Sequence, residues 1–235
     1  MNLLAPQFSF LLKPRITILK EYQNFMKRLF LLCVCVGLSG LAAAQNTDDY
    51  KKAEFFVGYS NEQFDNRPNP RNTLNGVEAS GVYNFTRYLG VKGDFSVAHG
   101  SHRESFTFGN TTINEKGTRD IYNVLGGIQV KNNSNTGKFK PFAHALFGVA
   151  KERLVLSDFQ CTPAQLCSAF ANDIRDSRTG FAAALGGGLD VRVKGRIQIR
   201  VIQIDYNPVR TSFGTFGRKL FRTDHNIRFA TGIVF

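Results

Sequence analysis

Reactive side chains are sparse in this chain, and the densest group is His99, Ser101, His102, Glu104 and Ser105. A serine hydroxyl becomes a nucleophile only when a base within hydrogen-bond reach can take its proton. Histidine and serine at this spacing in a polar stretch are common, and no flanking motif raises the cluster above composition, so no catalytic residue is assigned. His144 reads as a packed strand residue, and His225 as a loop-edge residue beside Asp224. No metal-ligand spacing is present. Gly186-Gly187-Gly188 falls within a strand pattern instead of opening a helix, so it cradles no phosphate. No cofactor is implied. The remaining basic residues are scattered, without the run expected of a nucleic-acid surface.

Cysteine usage points to compartment. From Met26 the sequence reads Met-Lys-Arg, an apolar run over 29–41, then Ala42-Ala43-Ala44 before Gln45. A basic start, an apolar centre and small residues at the end form an export leader. The apolar run is too short to span a bilayer as a helix of about 20 residues. Residues 1–25 read as an N-terminal extension or an overcalled start, 26–44 as the leader, and 45–235 as a single domain. Cys33 and Cys35 fall in the leader, and Cys33 follows Leu32 where lipid attachment needs a small residue. Cys161 and Cys167 remain, and an even pair in an exported chain reads as a disulfide closing a small surface loop. Losing five basic residues and one acidic residue with the first 44 positions lowers the formal charge from +12 to +8. Anionic lipid headgroups are the natural counter-charge for such a chain.

The elements that hold these residues follow from the end of the chain. Ile227, Phe229, Thr231, Ile233 and Phe235 share one side of a strand, and Arg228, Ala230, Gly232 and Val234 the other. In a soluble barrel large apolar side chains fill the inside. In a barrel surrounded by lipid they face outward, and polar groups face the lumen. Arginine opposite phenylalanine favours the second arrangement.

Period-two alternation predicts eight strands, at about 52–60, 76–87, 90–99, 119–131, 139–151, 179–193, 196–206 and 227–235. Each has at least the roughly 9 residues with which a tilted strand crosses a bilayer. The fifth is uniformly apolar, which leaves its facing open. In the seventh, Gln203 and Asp205 fall on the face of Ile199 and Val201, so either a bulge shifts the register or the strand has left the lipid by then. The connections alternate: long at 61–75, 100–118, 152–178 and 207–224, short at 88–89, 132–138 and 194–195. Long outer loops, short inner turns and an even strand number are the pattern of an eight-stranded antiparallel up-and-down transmembrane β-barrel. Tryptophan is absent, so the girdles must come from the 22 Phe and 7 Tyr.

Several passages carry a family resemblance. Tyr83-Asn84-Phe85 leads through a turn into Gly90-Val91-Lys92-Gly93-Asp94-Phe95. Lys140-Pro141-Phe142-Ala143-His144-Ala145, Ala184-Leu185-Gly186-Gly187-Gly188-Leu189-Asp190, and Arg200, Gln203, Asp205-Tyr206 with the terminal strand follow in order. The chain from Gln45 to Phe235 resembles the eight-stranded outer-membrane barrels related to the transmembrane domain of outer-membrane protein A and the opacity-type surface proteins. The resemblance implies a Gram-negative-type outer-membrane location and insertion by the assembly machinery through the C-terminal strand, carried by Ile227, Phe229, Thr231, Ile233 and Phe235. The peptidoglycan-binding domain of some relatives has no counterpart here, so wall anchoring is not carried over.

Alternation points Glu54, Glu78, Lys92, Asp94, Arg200 and Arg228 inward. The lumen of an eight-stranded barrel is only wide enough to be filled by side chains, and buried charge of mixed sign is tolerable when paired. The expectation is an internal polar network, with Gly186 and Gly188 making room for bulky neighbours or water. The expected function is non-catalytic: a structural and surface-interaction protein acting in envelope integrity or adhesion through four long loops, with outer-membrane lipids and an extracellular ligand or host surface as partners. The alternatives are a small pore or transporter, then a lipid-modifying barrel enzyme.

Overall fold

The computed structural model describes residues 50–65, 71–133, 137–162, 173–215 and 218–235. The expected leader, the N-terminal extension and Cys167 lie outside the described residues. Eight antiparallel strands close into a ring in sequence order: β1 (Ala53–Phe64), β2 (Asn72–Asn84), β3 (Leu89–Phe108), β4 (Thr111–Lys131), β5 (Phe139–Thr162), β6 (Ile174–Lys194), β7 (Ile197–Thr215) and β8 (Arg218–Val234). Closure leaves no open edge across the membrane, which a sheet in lipid requires. β1 meets β8 from Phe56–Val234 to Gln63–Ile227, and Phe235 extends the seam by exchanging backbone hydrogen bonds with Phe55.

Sidedness is uniform across the band. Phe95 and Leu185 are 44% and 45% exposed on the outer wall, whereas Lys92 and Arg228 are 1% and 0% exposed inside. Val57, Tyr59, Val77, Val124, Val149, Phe181 and Phe229 share the outer wall with them. At the end where the chain enters the barrel, Tyr83, Phe85 and Tyr88 are all exposed, and Tyr83 and Phe85 pack edge-on at 6.0 Å. Rings of this kind suit the interface between hydrocarbon and headgroups.

The short connections are polar turns. Thr86 Oγ1 accepts hydrogen bonds from the backbone of Tyr88 and Leu89, fixing the β2–β3 turn over residues 85–88. Gly195 begins the β6–β7 turn at φ +55°, a left-handed conformation that glycine adopts without strain.

The structure corrects the expectation of four long loops. Most of the predicted loop at 100–118 is strand, with β3 and β4 paired out to Phe108–Thr111 around Gly109, which has φ +61°. β5 and β6 pair out to Leu156–Ile174, and β7 and β8 to Thr215–Arg218. Alternation of side chains continues past the lipid, but water faces one side and the lumen mouth the other, so the outer wall turns polar. A reading that ended each strand with its apolar face missed the continuation. The ladders do not all rise together. β2–β3 pairing stops at Asn75–His99 and β6–β7 at Phe181–Arg210, so the outer ends separate into hairpins and a sheet of β3 to β6.

β7 resolves its parity by a bulge. Pairing jumps from Arg200–Gly232 to Gln203–Ala230, so Val201 and Ile202 together oppose Thr231. Both point outward, and Arg200, Gln203, Asp205 and Asn207 all point inward. Thr231 Oγ1 donates to the Arg200 carbonyl at 2.9 Å, which supplies a partner at the irregularity.

Candidate lumen network

The inward residues form two connected tiers. Nearer the chain ends, Lys131 Nζ lies 2.7 Å from both Glu54 and Asp190, and 3.2 Å from the Gln198 side-chain oxygen. Arg200 binds the same Asp190 through Nε at 2.8 Å and Nη2 at 3.2 Å, and donates through Nη1 to Gln203. Its guanidinium lies 4.2 Å from the ring centroids of both Phe56 and Phe142. A cation held over two aromatic faces and a carboxylate is satisfied without water, each desolvated face contributing up to about 2 kcal/mol.

Glycine makes that clamp possible. A Cβ on Gly58 would come within 2.6 Å of the Phe56 ring and 2.2 Å of the Thr231 carbonyl oxygen. A Cβ on Gly188 would lie 2.9 Å from the Phe142 ring and 2.1 Å from the Ile202 carbonyl oxygen. Both rings occupy space that any side chain on those glycines would take.

Gln203 links this tier to the next by donating to Glu78 at 2.9 Å and Asp205 at 2.7 Å. There Arg228 is the hub. It donates to Asp205 through Nη2 at 2.8 Å, to Asp94 at 3.0 Å and to Ser96 at 2.9 Å, and stands 3.5 Å from Glu78. Lys92 Nζ is 3.4 Å from Asp94 and 3.8 Å from Glu78, and His144 donates through Nε2 to Asp205 at 2.8 Å. Every one of these groups is buried. Farther out, Glu62 accepts from Asn207 and Asn226, while Arg119 stacks over Phe64 at 3.9 Å beside Glu152.

The structure therefore brings Glu78, Lys92, Asp94 and Arg228 into one cluster and Glu54 and Arg200 into another, bridged by Gln203. Sequence reasoning did not assign Lys131, Asp190, His144, Gln203, Asp205 and Glu62 to the network. Two signals could have found His144, Gln203 and Asp205. Fixing the fifth strand's parity on Lys140 and His144 places Phe142 inward, and a bulge in β7 places Gln203 and Asp205 inward. Of the terminal-strand residues, Phe229, Ile233 and Phe235 are exposed on the lipid side, Ile227 is half-buried, and Thr231 caps the bulge.

The residues that suggested a nucleophile and base are drawn apart. His99 and Ser101 lie on the outer face of β3, while His102 and Glu104 turn toward the mouth. His99 donates to Asp120 at 2.6 Å and His102 to Glu104 at 2.7 Å. Among the described residues, neither histidine is hydrogen-bonded to a serine hydroxyl. Cys161 is the next-to-last residue of β5, opposite Ile113 of β4. Cys167, its expected disulfide partner, lies outside the described residues.

The family model for the outer membrane protein beta-barrel domain matches residues 30–235. The chain belongs to this family. As an outer-membrane barrel it is placed in a Gram-negative-type outer membrane, and in such barrels the long connections lie outside and the short turns inside. Similar solved structures include Ail, the attachment invasion locus protein of Yersinia pestis, at 15% identity and TM-score 0.46, covering 78% of this chain and 97% of that one. Neisserial surface protein A matches at 10% identity and TM-score 0.39, over 80% and 98% of the two chains. OprG from Pseudomonas aeruginosa matches at 13% identity and TM-score 0.42, over 77% and 93%. No curated protein sequence matches.

Proposed function

We propose that this barrel is a non-catalytic surface protein, in which a sealed transmembrane cylinder holds rigid outer hairpins for contact with an extracellular ligand or host surface. The observation that carries this reading is the set of large apolar side chains exposed beyond the lipid band. Phe106, Ile174, Leu220 and Phe221 are 49%, 47%, 46% and 62% exposed on the outer extensions of β3, β6 and β8. They stand on separate strand extensions beyond the main apolar wall, where each can serve as a contact anchor. Aromatic residues on rigid elements make strong anchors at low entropic cost.

A sealed cylinder is supported by the Arg200 clamp between Phe56 and Phe142 and by the Arg228 cluster above it, which fill the lumen with paired charge. The exposed Phe235, Ile233 and Phe229 suit recognition of the last strand by the insertion machinery, and a Cys161–Cys167 bridge would staple the tip of the β5–β6 hairpin. The experiment displays the protein on cells and measures binding to extracellular surfaces with Phe106→Ser and Phe221→Ser. Assembly is checked by the change in gel mobility on boiling. Loss of binding with assembly intact supports the contact surface; unchanged binding removes it.

A further inference from the structure

The outer wall just above the lipid band differs from one side of the barrel to the other. On β1 and β2 it is made of amides and a hydroxyl, with Arg71 just before β2 as its cation, donating to the Gln63 carbonyl at 3.1 Å: Asn61 donates to Asn75 at 2.8 Å, Gln63 to Asn61 at 2.7 Å, and Thr73 to Gln63 at 3.2 Å. These amides satisfy one another. On β5 to β7 the equivalent sector carries Lys151, Arg153 and Arg210, all exposed, with Arg175 farther out.

Register fixes their neighbours. Lys151 lies beside Tyr122 of β4 and Thr179 of β6, and Arg210 beside Phe181 of β6. Tyr122 and Phe181 belong to the outer edge of the apolar wall, so the ammonium and guanidinium groups stand where a leaflet's headgroups begin. Arg153 follows one outward position above Lys151. The nearby acid on this face, Asp120, is hydrogen-bonded to His99 at 2.6 Å, and Arg175 is paired with Asp173 at 3.3 Å. Asp120 stands opposite Arg153 across the β4–β5 ladder, but among the described residues neither Lys151 nor Arg153 forms an ion pair with an acid. Arg210 lies over the Phe221 ring at 4.7 Å, which orients its plane and leaves its edges free to donate. Directly beneath, Phe147 and Phe181 stack at 6.4 Å and 21°, with Val149 and Leu185 exposed beside them.

We propose that this sector binds a phosphate-bearing lipid of the outer leaflet, with the headgroup phosphates shared among Lys151, Arg153 and Arg210 and the acyl chains lying on the Phe147–Phe181 stack, Val149 and Leu185. Guanidinium edges match phosphate oxygens in pairs, and a lysine beside them adds a mobile point charge. Cations over an apolar wall fit an amphiphile and not a free anion, because the wall offers phosphate alone no enclosure. This site needs no extracellular partner and so does not rest on the surface-contact reading, although the two share Phe221, whose ring lies against Arg210.

The test titrates the full purified, folded protein in detergent with bis-phosphorylated lipid A and with its dephosphorylated form, counting bound lipid by native mass spectrometry. The phosphorylated form should bind, weaken as salt rises, and resist displacement by inorganic phosphate. Replacing Lys151, Arg153 and Arg210 together by Ala should weaken it roughly a hundredfold, at about one factor of five per cation near an anionic surface. Asn61→Ala with Thr73→Ala, in the amide sector, should leave it unchanged. Equal binding of the dephosphorylated lipid, insensitivity to salt, or a folded triple variant within threefold of the parent would each overturn the proposal. The first two outcomes need no variant, so they decide the matter even if the triple change prevents folding.

Discussion

Replacing Arg228 by Met should be among the most damaging single changes in the barrel. Arg228 reaches Asp205 at 2.8 Å, Asp94 at 3.0 Å and Glu78 at 3.5 Å, all fully buried side chains. Without it the tier keeps these three carboxylates with Lys92 as their nearby cation, and Lys92 is 3.4 Å from Asp94 and 3.8 Å from Glu78. Asp205 would then keep His144 and Gln203 as donors but lose both of its bonds to the guanidinium. Removing one partner of a buried pair costs about 3–5 kcal/mol, because the remaining charge is left without compensation. Methionine fills much of the volume, so little of that cost is cavity. The chain has no tryptophan, so fraction folded in phospholipid vesicles is best read from gel mobility across a urea series. Adding Asp205→Asn removes one of the orphaned charges, and the double variant should recover part of the loss, with a coupling of about 0.5–3 kcal/mol. Arg228→Lys should fall between parent and Met, since lysine cannot donate in the fixed fork that meets Asp205. An Arg228→Met protein within about 1 kcal/mol of the parent would refute the view that this hub holds the lumen together.

Further perturbations probe other parts of the argument. Lys placed at Val124 or Leu185, both on the lipid wall, should cost about 2–4 kcal/mol in vesicles, and a neutral result would contradict the assigned sidedness. Arg200→Ala removes the clamp between Phe56 and Phe142, so planar-bilayer recording should show single-channel steps that the parent lacks; a silent variant would mean that other groups seal the lumen. Gly58→Val should abolish the heat-dependent gel shift, because its side chain must displace the Phe56 ring and the neighbouring β8 backbone. In the outer β3–β4 hairpin, burial and then the facing Glu104 raise the Glu115 carboxyl above its ordinary range, with His102 opposing the shift. The folded hairpin therefore takes up a proton more readily than an unfolded one and should gain stability as pH falls toward that raised value. Amide exchange in the hairpin should slow on acidification in the parent and less so in Glu115→Gln.

Alternation and loop rhythm were enough to read strand number, order and sidedness, because the lipid forces one face of every strand to be apolar. The inward positions of Glu54, Glu78, Lys92, Asp94, Arg200 and Arg228 follow from that same constraint. Their partners were harder to read for physical reasons. Lys131 meets Glu54 across 77 residues of chain, and a contact between distant strands depends on barrel tilt and stagger, which no local pattern carries. β5 was ambiguous because small and apolar residues occupy both of its faces: Ala150, Leu146 and Phe142 inside, Val149, Phe147 and Ala143 outside. The outer extensions were mistaken for loops because water tolerates polar residues on strands and loops alike.

The bulge in β7 sets where this chain can change length. Along most of a transmembrane strand, losing one residue turns every following side chain around, driving acids into hydrocarbon and phenylalanines into the lumen. At Val201 and Ile202, two consecutive residues already look outward. Excising either one would leave Arg200, Gln203, Asp205 and Asn207 facing the axis while sliding half the strand by a single step. Insertions and deletions in descendants of this barrel should therefore gather at that dipeptide, making it the natural joint for grafting or retiming the final hairpin.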